Sequence, residues 1–126
     1  MHFRRMEFAS LAAFLTGSLA PEALADEIRV EVAACNEAFE AGQHGYIVIT
    51  DGPNFAVTTE NARRLLASVA DGRLPFELAN YVADCIIMSD DFEFADDAAR
   101  DAVFFVEDDS RPPTHEEILQ AIAQLD

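Results

Sequence analysis

Apolar positions recur at helical spacing over most of this chain. Phe8, Leu11 and Leu15 stand at i, i+3 and i+7 and predict a first helix over roughly residues 5–16. A second stripe, Leu24, Ile28, Val32, Cys35 and Phe39, predicts a helix over about 21–41, with Pro21 in its first turn and Gly42 and Gly45 behind its end. The pattern then changes. Tyr46–Thr50 and Phe55–Thr58 are β-branched or aromatic runs around Asp51-Gly52-Pro53-Asn54, so a short β-hairpin is expected near residues 46–58. An extended loop with one strand is the alternative. Two strands alone are marginal in water, so either form must lean on the helices.

Helical spacing returns after Thr58. Thr58 or Thr59 caps a third helix to about Ala70, with Glu60 at its positive end. A fourth helix follows Pro75 and reads FELANYVADCIIMS. Its polar residues Glu77, Asn80 and Asp84 form one narrow stripe, so it should be the central helix. Asp96 is placed to cap a fifth helix that buries Ala99, Val103 and Val106, with a strand at 103–106 as the alternative. Arg111-Pro112-Pro113 stops the chain, and Thr114-His115-Glu116-Glu117 is a capping box for a last helix burying Ile118, Ile122 and Leu125. The expected fold is mainly α: a single-domain bundle of five or six helices over residues 1–126, with the short hairpin against one side.

One turn occurs twice. LTGSLAPE at 15–22 and ADGRLPFE at 70–77 both read Gly-x-Leu-x-x-Glu between two helical runs. A helix-turn-helix that reads DNA is built the same way, but its second helix must begin with groups that reach phosphates and base edges. Those positions hold Pro21, Glu22 and Asp26 in one copy and Phe76, Glu77 and Asn80 in the other, and Arg73 alone is suitable. The turns are therefore expected to be architectural, each joining a helical hairpin with its Leu between the two helices.

Charge decides which partners are open. The chain has 24 acidic and 8 basic residues, all of the latter Arg, for a net charge of −16. Thirteen of those acids and only two Arg fall in residues 84–126. Such a field repels nucleic acid and anionic membranes and attracts basic protein surfaces. No run reaches the ~20 apolar residues of a membrane span. The first 25 residues imitate an export signal, with Arg4 and Arg5, an apolar stretch and Ala23-Leu24-Ala25. Glu7, Gly17 and Pro21 interrupt the imitation, and the Gly-x-Leu echo argues for a retained helix. A cytoplasmic protein is expected, with export as the alternative.

Catalytic signals are thin. His115-Glu116-Glu117 opens like the zinc-protease pattern, but Leu119 stands where the second His belongs. His2, His44 and His115 are far apart, and Cys35 and Cys85 lack the spacing of a metal or redox motif. Asp90, Asp91, Glu93 and Asp96 lack the alternation and central Gly of a calcium loop. No enzyme activity, cofactor or metal is expected.

The feature that asks for a function is the segment from Asp84 to Asp109, with ten acids and one Arg among four Phe. It is either a solvated face or a docking surface for a basic protein. In the second case Asp90, Asp91, Glu93, Asp96, Asp97, Asp101, Asp108 and Asp109 would speed encounter, and Phe92 and Phe94, where exposed, would anchor the complex. The run from TTENARRLLASVADGRLPFELANYVADC through the acidic segment to RPPTHEEILQAI resembles the C-terminal part of small bacterial immunity-type proteins. That resemblance implies a stoichiometric inhibitor of a toxic partner encoded nearby, often a nuclease with a basic active site. It transfers no site residue, because such proteins use differing surfaces. The rival classes are an acidic mimic that sequesters DNA-binding proteins and a small hydrolase using clustered carboxylates.

Overall fold

A computed structural model describes residues 2–29, 45–49, 52–108 and 111–125, with the backbone alone at 2–6 and 45–49. The chain begins with strand β1 (His2–Met6) and helix α1 (Phe8–Thr16), and a second helix, α2, occupies residues 21–29. Strands β2 (Gly45–Ile49) and β3 (Phe55–Val57) precede α3 (Thr59–Ala70) and α4 (Phe76–Met88). Then come β4 (Phe92–Phe94), α5 (Asp97–Glu107) and α6 (His115–Ala123). The protein is thus a mainly helical domain, as the apolar periodicity predicts. The expected buried positions Val32, Cys35 and Phe39 lie outside the described residues, as do Gly42, His44 and Asp109.

The hairpin needs correction. Strands form close to the predicted residues, but β2 and β3 do not pair with each other. β1 pairs with β2 in parallel, with Arg4 opposite Ile47, and β3 pairs with β4 in parallel, with Ala56 opposite Glu93. Local turn chemistry at 51–54 suggested neighbours in sequence, whereas the bonding partners lie across whole helical hairpins. A parallel pair requires such a crossover. The start of the chain is corrected for the same reason: residues 2–6 form a strand, and the first helix begins only at Phe8.

The molecule therefore contains the same order twice, strand–helix–Gly turn–helix–strand, followed by α5 and α6. The turns match bond for bond. Ser18 and Leu19 N–H donate to the Ala13 carbonyl, and Arg73 and Leu74 N–H donate to the Ser68 carbonyl. Gly17 (φ 91°) and Gly72 (φ 74°) hold the left-handed positions that let the chain fold back over its last turn. Leu74 is fully buried and Leu19 partly so, so each turn packs its Leu against the core.

The core joins both halves. Phe8, Leu11, Phe14 and Leu15 from α1, with Leu24, Ala25 and Ile28 from α2, pack with Leu65, Leu66, Val82, Cys85 and Ile86. The stretch that imitates an export signal is thus core-forming sequence. α4 is central, burying Leu78, Ala79, Tyr81, Val82, Ala83, Cys85 and Ile86. Residues 103–106 are helical, and α5 buries Ala99, Ala102, Val103 and Val106 against α3 and α4.

Two asparagines fasten helix ends across the fold. Asn61 forms the capping box of α3 with Thr58, while its Nδ2 donates to the Leu15 carbonyl of α1 at 2.8 Å. Asn80 Nδ2 donates to the carbonyls of Val106 (3.1 Å) and Glu107 (2.8 Å), at the end of α5. Each satisfies carbonyls that a helix terminus leaves without partners.

Candidate docking surface on the acidic segment

The acidic segment is divided by its own backbone. β4 bonds beside β3, with Phe55 N–H donating to the Asp91 carbonyl and Ala95 N–H to that of Val57. Side chains alternate along a strand, so Phe92 and Glu93 must face opposite ways. Phe92 turns inward: it is 7% exposed, with its ring 4.9 Å from Phe8 and 5.5 Å from Phe55. The expectation that Phe92 anchors a partner is therefore corrected. It is a core residue, because the register with β3 gives it the inner face.

Asp91 and Asp96 are engaged in the fold. Asp91 is half-buried; its Oδ2 accepts from Gly52 N–H at 3.2 Å and its own N–H donates to Ser89 Oγ. That bond holds Gly52 under the Phe8 ring, where a Cβ would collide. Asp96 is the predicted cap of α5, accepting from Ala99 N–H at 2.8 Å. Asp90 and Glu93 are exposed around β4.

The remaining residues converge on α5. At about 100° per residue, Asp97, Asp101, Phe104 and Asp108 fall within about 60° of arc on one face. All four are exposed, and Phe104, at 44%, is one of three exposed large apolar side chains among the described residues. Half-buried Phe94 lies beside it, with ring centroids 6.4 Å apart. The sequence pattern points to Phe92 and Phe94 as anchors and not to Phe104. The i, i+4, i+7, i+11 spacing of 97, 101, 104 and 108 was the signal that identifies it.

Arg100 lies beside this face, 3.6 Å from Asp97 and 3.7 Å from Asp101, but both pairs are solvated and hold little energy. A firmer pair bounds the far end. Arg111 grips Glu117 with two bonds, at 2.8 and 2.7 Å, and the Thr114 N–H adds a third. The Arg111 guanidinium, then the Thr114 backbone, hold the Glu117 carboxyl down at about 2, against an ordinary 4.5.

Among the described residues no cluster of three or more His, Cys, Asp or Glu side chains could hold a metal ion, and no helix is long and apolar enough to cross a membrane. His115 and Leu119 are both exposed on α6, and Cys85 is buried. The arrangement offers an acidic helix face around an aromatic pair. It suits recognition of a cationic surface, with carboxylates attracting at long range and aromatic area left to bury on contact. Comparisons of the chain with protein-family models, curated proteins and solved structures returned no match.

Proposed function

We propose that the protein is a non-catalytic acidic binding module of the immunity type, acting in the cytoplasm to neutralise a basic toxin, nuclease-like in the first instance, by direct contact. The observation that supports this reading is the single exposed stripe of Asp97, Asp101, Phe104 and Asp108 on α5, with Phe94 at its side. The exposed Phe104 beside half-buried Phe94 gives this acidic face apolar area for a partner to bury. The net charge of −16 disfavours nucleic acid as a direct partner.

The test compares two immobilised baits, the wild type and an Asp97→Asn/Asp101→Asn/Asp108→Asn variant, in lysate of the source organism. One basic protein retained by the wild type and lost by the variant supports the reading, and its own toxicity, relieved by this protein, completes it. Several unrelated DNA-binding proteins would favour mimicry instead. Retention that is equal on both baits would remove the α5 face from the account.

A further inference from the structure

The two Gly-x-Leu turns come together in space, and a cleft of about 520 Å³ lies between them. Its walls are the first turn with the start of α2 and the outer face of α3 with the second turn. Three of the eight arginines line it: Arg63, Arg64 and Arg73. In a chain of net charge −16 that is a local concentration of positive side chains.

Two of the three have work within the fold. Arg63 donates to the Leu125 carbonyl at 3.5 Å, tying α3 to the end of α6. Arg73 from the second turn reaches Glu22 behind the first, with Nε 3.1 Å from both carboxylate oxygens and Nη2 3.0 Å from one. Arg64 differs. A Cβ built on Gly17 would lie 2.8 Å from its Cζ and Nη2 and 3.0 Å from its Nη1. Near-equal distances to three atoms of a planar group mean that the guanidinium lies face-on over Gly17. Its donors then point outward along the plane. The Arg64 carbonyl accepts from Ser68 Oγ, but among the described residues its guanidinium has no hydrogen-bond or ion-pair partner, although Glu60 stands one turn away on the same helix, where pairing is ordinarily favourable. Gly17 thus supplies a flat seat as well as a left-handed turn.

We propose that this cleft binds a small ligand through one compact oxyanion, a carboxylate or a phosphate, gripped by the edge of the Arg64 guanidinium. The fork of N–H groups on Arg matches either oxyanion with two parallel bonds. Seating on Gly17 fixes the plane beforehand, so less side-chain freedom is lost on binding. Glu60 and Asp71 share the lining, which sets a limit: they repel a polyanion and leave room for a single anionic group on a neutral or amphoteric body. The proposal is independent of the α5 docking face.

The test is a titration of the ¹⁵N-labelled full chain, followed by amide shifts, with sodium acetate and with inorganic phosphate. Sodium chloride at matched ionic strength is the reference. Saturable shifts confined to residues near 17–21 and 60–73 are expected. Arg64→Ala should abolish them, and Arg64→Lys, which keeps the charge but loses the fork, should weaken binding by about tenfold or more. The same spectra show whether each variant is folded. Acetate alone identifies a carboxylate ligand, phosphate alone a phosphorylated one, and both the shared oxyanion chemistry. Shifts that match chloride, never saturate or survive in folded Arg64→Ala overturn the proposal.

Discussion

Gly17 and Gly72 occupy equivalent places, yet they should not tolerate change equally. Alanine at either must adopt a positive φ, which costs about 1–2 kcal/mol. At Gly72 nothing lies within 4 Å of the new Cβ, so the backbone term is the whole effect. At Gly17 the methyl also displaces the Arg64 guanidinium. Because an exposed guanidinium swings aside cheaply, urea unfolding should find Gly17→Ala only slightly the more destabilised, and the reverse order would contradict the seating of Arg64. Glu117 offers a second test. A carboxyl held down in the folded state stabilises it above its ordinary value, and the contribution fades as pH falls from about 4.5 towards about 2. A ¹³C titration of the Glu117 carboxyl should show a midpoint near 2, and Arg111→Ala should move it upward. A midpoint left in place would mean that the paired geometry does not hold in solution. Phe92 and Phe104 separate core from surface. Phe92→Ala should cost ~3–5 kcal/mol, whereas Phe104→Ala should change stability by no more than about 0.5 kcal/mol. Equal losses in denaturation would show that the α5 stripe is not free surface.

Helix ends dominate at the scale of elements. Asn61 serves two helices, accepting from Thr58 N–H for the start of α3 and donating to Leu15 for the end of α1. Asn61→Ala should lose about 1–2 kcal/mol. Asn61→Asp keeps the accepting oxygen but cannot donate, so its stability in urea should fall between the two. An Asp variant as stable as wild type would remove the bond to α1 from the account. These ends also explain what the sequence conveyed. Thr58, Asp96 and the Thr114–Glu117 box act through neighbours three residues away, so they can be read from a short window. The buried stripes of α1, α4 and α5 are legible for the same reason. Strand pairing is not. β1 finds β2 across α1 and α2, and β3 finds β4 across α3 and α4, partners that no local pattern encodes. The site was readable to a similar depth: composition located the acidic segment, but only the register of β4 decides that Phe92 points inward. The convergence of Arg63, Arg64 and Arg73 depends on how the two repeated halves meet, which the echo of the turns hinted at without specifying.

For the whole molecule, the decisive quantity is the distribution of charge. A net −16 opposes close packing of like charges, and a stable core of aliphatic and aromatic side chains offsets that repulsion. Neutralising Asp97 and Asp101 on α5 should leave folding unharmed or slightly firmer, since their contacts to Arg100 are weak. Their effect belongs to encounter with a cationic partner, where long-range attraction raises the association rate and salt suppresses it. At ~0.15 M ionic strength the screening length is about 8 Å, comparable to the width of one helix, so most of the steering should already be gone. Truncating Phe104 should act at the other stage, speeding dissociation while leaving association nearly unchanged. The most direct measurement is therefore stopped-flow association with the captured basic partner across a salt series, for wild type and for the Asp97→Asn/Asp101→Asn/Asp108→Asn variant. A wild-type rate that falls steeply with salt, set against a slower and flatter variant that meets it at high salt, is the predicted result. Identical rates for the two proteins at every salt concentration would contradict it.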